Sequence, residues 1–117
     1  MNKNKYASLM LDRTPDDPAP VDAQATWDIC PGPELVRLST AMLPDGTWVY
    51  GYYVYWLNGR TSVHLPDPNL GLFASQRDAQ LYAVGFMLMY ESFFSPATVE
   101  DLRIAEARLC QTELSFE

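Results

Sequence analysis

The stretch TWVYGYYVYWLNGRTSVHL, Thr47 to Leu65, limits what this chain can fold into more than any other segment. Asn58-Gly59 divides two aromatic and β-branched runs, and that dipeptide suits a type I′ turn, which needs φ > 0 at both central positions. The flanks hold two of the three Trp and four of the seven Tyr, side chains that fit a pleated, half-buried surface. A two-residue turn predicts Leu57 opposite Arg60, Tyr55 opposite Ser62 and Tyr53 opposite His64. Upstream, Pro44-Asp45-Gly46 reads as a three-residue loop closed by a left-handed glycine. It joins a first strand, Glu34 to Leu43, to a second, Thr47 to Leu57, with Arg60 to Leu65 as the third. Leu43 then faces Thr47, and Arg37 faces Tyr53.

Side chains alternate across a sheet, so this register defines two faces. Val36, Leu38, Thr40, Met42, Trp48, Tyr50, Tyr52, Val54, Trp56, Thr61, Val63 and Leu65 form the expected core face. Leu35, Arg37, Ser39, Ala41, Val49, Gly51, Tyr53, Tyr55, Leu57, Arg60, Ser62 and His64 form a face left to water or to a partner.

Two helices are predicted beyond the irregular Pro66-Asp67-Pro68-Asn69. Ser75 is a good N-cap, and Ser75-Gln76-Arg77-Asp78 approximates a capping box, opening a helix from Gln76 to Phe94. That helix is apolar without a break from Leu81 to Tyr90 and must be covered on more than one side. Surface left over on it would be the seam of a homodimer. Ser95-Pro96 caps and starts a second helix to Gln111. It is amphipathic through Val99, Leu102, Ala105 and Leu109, while Glu100, Asp101, Arg103, Glu106 and Arg108 are read as solvated surface.

Before Glu34, the run Asp12-Arg13-Thr14-Pro15-Asp16-Asp17-Pro18-Ala19-Pro20 argues for an extended, hydrated arm over residues 1–33, clipped to the domain by Trp27, Ile29 and Cys30. Pro31-Gly32-Pro33 separates it from a single domain at 34–117. The predicted fold is therefore α+β: a three-stranded antiparallel β-meander with two C-terminal helices packed on one face, behind an extended Pro-rich arm.

At 117 residues, with 48% hydrophobic and 20% charged side chains, the chain suits one ordinary core without metal or disulfide staples. No apolar run has the length of a membrane span, and the opening residues lack a signal-peptide core, so a cytoplasmic protein is expected. Cys30 and Cys110 are then unpaired small apolar residues, although a bridge between them stays open. Neither has the spacing of a metal ligand, and no cofactor motif is present. A net charge of −7 counts against generic phosphate binding, which depends on neutralising phosphates.

On the predicted open face, Arg37, Tyr53 and His64 cross all three strands in one row, with Tyr55, Arg60 and Ser62 beside it. Such groups either form ordinary cross-strand pairs or make a binding face, with aromatics to stack bases or partner side chains and arginine to hold phosphate or carboxylate. His64 is the only histidine, and no nucleophile with an orienting carboxylate accompanies it, so an enzyme is not expected.

Phe73-Ala74-Ser75-Gln76-Arg77-Asp78-Ala79-Gln80-Leu81-Tyr82-Ala83, arriving after a meander, resembles the last helix of a double-stranded-RNA-binding domain. Ser75, Ala79 and Ala83 fit that family's pattern. Its phosphate-gripping lysines correspond to Gln76, Arg77 and Gln80, so the resemblance implies a βββα core over Glu34 to Phe94 rather than duplex RNA as ligand. In the tail, Gln111, Leu114 and Phe116 follow Gln-x-x-Leu-x-Phe. That pattern resembles the peptides by which bacterial replication and repair proteins dock on the sliding clamp. The expectation is a non-catalytic module that binds a protein partner through the open sheet face. The alternative is a nucleic-acid-associated accessory protein using the same face on single strands, tethered to the clamp by its tail.

Overall fold

The computed structural model describes residues 4–111. Four strands, β1 (Ala25–Pro31), β2 (Leu35–Met42), β3 (Trp48–Tyr55) and β4 (Thr61–His64), form one antiparallel sheet in the order β1-β2-β3-β4. Two helices follow, α1 (Gln76–Met89) and α2 (Pro96–Gln111). The class is α+β as expected, with four strands rather than three. The fourth comes from the arm: Trp27 pairs with Leu38, Asp28 with Arg37 and Cys30 with Val36, around a bulge between Asp28 and Cys30. A short strand closed by Pro31 carries little local signal, and the exposed ladder edge of β2 orders it.

The loop between β2 and β3 is built as expected. Leu43 N–H donates to Thr47 O at 2.7 Å, Gly46 takes φ +91°, and Asp45 accepts from both Thr47 N–H and Thr47 Oγ1. Arg37 stands opposite Tyr53.

The second hairpin departs from the expected two-residue turn. Trp56 N–H donates to Arg60 O at 2.9 Å and Gly59 N–H to Trp56 O at 3.0 Å. Only Gly59 has positive φ, +89°, and no non-glycine residue does among the described residues. Leu57-Asn58-Gly59 is thus a three-residue loop with glycine in the left-handed position, the same solution as Pro44-Asp45-Gly46. The extra loop residue moves β4 by one. Tyr52 now faces His64, Tyr53 faces Val63, Val54 faces Ser62 and Tyr55 faces Thr61. Because the side-chain period is two, every β4 residue changes face.

The principal core lies between the sheet and both helices. Val36, Leu38, Tyr50 and Val54 from the strands meet Leu81, Tyr82, Val84, Leu102 and Leu109, with Phe73 inserted against Tyr50 and Tyr82. Ser75 caps α1 through Asp78 N–H at 3.1 Å. α1 ends at Met89, earlier than expected, and a 3₁₀ turn over Glu91–Phe93 swings Phe94 back into the core.

The other sheet face is partly covered. Ala41, Val49 and Leu72 form a small second core with Leu11, Val21 and Leu43. The arm returns over this face, with Leu11 N–H on Leu72 O and Val21 N–H on Pro66 O. After β4 the chain crosses directly above Gly51, where a Cβ would meet His64 O, with Leu65 C and Pro66 N at 2.5 Å.

The first residues dock on the helices. Asn4 Nδ2 donates to Tyr82 O at 2.9 Å, in a space that Gly85 leaves open by lacking a side chain. Tyr6 Oη donates to Glu106 Oε2 at 2.5 Å, and Lys5 Nζ sits 2.6 Å from the same oxygen. Glu106 is therefore buried, where the sequence pattern placed it on solvated surface. Burial alone would raise its carboxyl pKa, but the Lys5 and Tyr6 donors outweigh that and hold it below its ordinary value. Both cysteines are free, Cys30 buried beside Thr98 and Cys110 exposed. No helix among the described residues is long and apolar enough to cross a membrane.

Candidate functional site

The residues expected to share one open face are divided between the two sides of the β3–β4 hairpin. Arg37, Tyr53 and Tyr55 stay on the outer side. Arg60, Ser62 and His64 turn to the helix side, because the three-residue loop reversed the facing of β4. In their place Thr61 and Val63 face outward. Gln111 ends α2, and Leu114 and Phe116 lie outside the described residues.

On the outer side, the uncovered part of the sheet presents Tyr53, Tyr55, Val63 and, just past β4, Leu65. Val63 is 63% exposed, Leu65 51% and Tyr55 40%. Arg37 lies beside them with its charge engaged: its Nε donates to Asp28 Oδ1 at 2.5 Å. That bond is the largest influence on Asp28 and holds its carboxyl below the usual value. β4 is an edge strand paired on one side only, and its four residues include no lysine or proline to discourage further pairing.

On the helix side, the hairpin and the end of α1 line an open-mouthed cavity of about 320 Å³. The aromatic run Phe86, Tyr90, Phe93 and Phe94 supplies one wall, Tyr52, Val54 and Trp56 the other. The rings form linked contacts: Tyr52 to Phe86 at 6.4 Å, Phe86 to Tyr90 edge-on at 5.4 Å, Tyr90 to Phe93 at 6.2 Å, and Trp56 stacked on Phe94 at 5.9 Å. Asn58, Arg60 and Ser62 complete the lining. His64 adjoins this site, its ring 5.7 Å from that of Tyr52, its Nδ1 3.1 Å from Leu65 O and its Nε2 3.7 Å from Asp67 Oδ2.

Glu34 ties the two walls together. It is buried, and its Oε1 accepts Ser95 N–H at 2.9 Å and Thr98 Oγ1–H at 2.7 Å. Leu57 N–H is a further donor to the carboxylate. Burial by itself would raise this carboxyl; the donors from Ser95, Thr98 and Leu57 outweigh it and hold the pKa below the ordinary value. One carboxylate thereby anchors the hairpin loop to the start of α2. Sequence reasoning missed it, since its partners lie 61 and 64 residues away. The cavity wall has a signal in the spacing of Phe86, Tyr90 and Phe93, one side of a helix and its continuation.

Among the described residues no group of three or more His, Cys, Asp or Glu could hold a metal ion. Comparison with protein-family models, curated proteins and solved structures finds no match to this chain.

Proposed function

We propose that this protein is a non-catalytic interaction module that binds a protein partner through the outer face and free edge of the β3–β4 hairpin. The observation that carries the reading is the row of exposed Tyr55, Val63 and Leu65, with half-buried Tyr53 among them, beside an unpaired strand edge. An incoming extended segment would add main-chain hydrogen bonds to β4 while its side chains met this row, the mode called β-augmentation. Tyrosines supply large contact area at a small cost in conformational entropy.

The second reading, single-stranded nucleic acid on the same face, is favoured by the neighbouring Tyr53 and Tyr55 with Arg37. Two features support the protein partner over it. Arg37 is neutralised by Asp28, and Arg60 and His64 face the helices, so the cationic row that would grip phosphates is dispersed. The chain also carries a net charge of −7.

The test pairs two measurements. A photoreactive amino acid at Val63 or Tyr55 should give a discrete protein adduct in cells, lost on Val63→Glu in the Tyr55-labelled chain and absent with the probe at Glu100. Fluorescence anisotropy of labelled single- and double-stranded DNA and RNA should show no binding at low salt. Micromolar, salt-sensitive binding lost in Tyr53→Ala and Arg37→Ala would overturn the reading in favour of nucleic acid.

A further inference from the structure

The cavity on the opposite side of the hairpin has a chemistry of its own. Its body is aromatic and its polar groups are biased toward donors. Arg60 is the single charged residue lining it, no carboxylate does so, and Arg60 makes no ion pair among the described residues. The indole N–H of Trp56 is buried with no acceptor, a costly arrangement for a strong donor. Asn58 uses its side-chain oxygen on Arg60 N–H at 2.9 Å, which leaves its amide NH₂ as a further donor. Ser62 adds a hydroxyl. A volume of about 320 Å³ falls at the small end of ligand sites.

We propose that this cavity binds a small aromatic carboxylate, its ring held among Phe86, Tyr90 and Phe93 and its carboxylate held by Arg60. Ring against ring favours offset and edge-on packing, which the neighbouring aromatic pairs already adopt. Guanidinium and carboxylate match in charge and planar geometry, and such charge-assisted bonds are roughly twice as strong as neutral ones. The site is independent of the outer face: one side of the hairpin meets the partner, the other the acid.

The test is titration of the ¹⁵N-labelled full chain with 3-phenylpropionate, its neutral amide and 3-phenylpropylamine. The readout is the Trp56 indole cross-peak, identified by its loss in Trp56→Phe. Expected are a saturable shift with the acid, binding of the amide weaker by about tenfold, and none of the amine. Arg60→Gln should erase the difference between acid and amide, and Phe93→Ala should weaken both in a chain whose spectrum stays dispersed. Phe93 is 67% exposed, so that variant keeps its core. Val63→Glu should leave the titration unchanged. No saturable shift with the acid, equal affinity for all three probes, or an acid preference that survives Arg60→Gln would overturn the proposal. So would saturation only by a peptide carrying adjacent phenylalanine and glutamate, which would assign the cavity to a protein partner.

Discussion

Glu34 accepts the hydroxyl proton of Thr98 at 2.7 Å, across 64 residues of chain. With Ser95 N–H on the same oxygen, the residue just ahead of β2 caps the last helix and fixes the cavity's far wall.

Glu34→Ala should therefore lower stability by about 2 kcal/mol, since it strands buried donors. Glu34→Gln keeps an acceptor and should cost less. The wild-type carboxyl has its pKa held below the ordinary 4.5. Its contribution is thus fully present above that value and declines as the pH falls through the folded-state pKa. Urea unfolding at pH 7 and at pH 3 checks this: the gap between wild type and Glu34→Gln should narrow at pH 3, and a widening gap would contradict it.

Facing of β4 is tested by proximity. Tyr52 and His64 should show ring-to-ring NOEs, and Tyr53 should show them to the Val63 methyls. NOEs between the Tyr53 and His64 rings would restore the two-residue turn.

Gly51→Ala should be among the most destabilising small substitutions in the chain. A methyl there collides with backbone at His64, Leu65 and Pro66, atoms that cannot rotate away. A loss of about 3 kcal/mol is expected from such overpacking, measured as a fall in denaturation midpoint. A variant within about 0.5 kcal/mol of wild type would show that the crossing is loose.

Tyr6→Phe removes one donor to the buried Glu106 and should cost about 1 kcal/mol. The Glu106 pKa should rise toward its ordinary value, because one of the donors holding it down is gone. Side-chain carboxyl shifts followed by NMR across the acid range report both effects.

Much of this fold was legible in local chemistry. Ser75 and Ser95-Pro96 announced the helix starts, Pro44-Asp45-Gly46 the first loop, and alternation along β2 and β3 the core face that carries Val36, Leu38, Tyr50 and Val54. These features rest on interactions within a few residues, which a sequence records directly.

What tertiary structure alone decided is the second loop and all that follows from it. Asn58-Gly59 is compatible with a two-residue or a three-residue turn, and the local difference between them is small. The longer loop is the one in which Trp56 stacks on Phe94, Leu57 N–H reaches Glu34 and the chain passes over Gly51. Those partners are distant in sequence, so no local pattern could weigh them. The same reason hid the burial of Glu34 and Glu106, and the pairing of β1, whose partner strand supplies the order its own residues do not. One residue of loop length thus divided the six expected site residues between two faces, because strand side chains repeat with a period of two and long-range packing sets the phase.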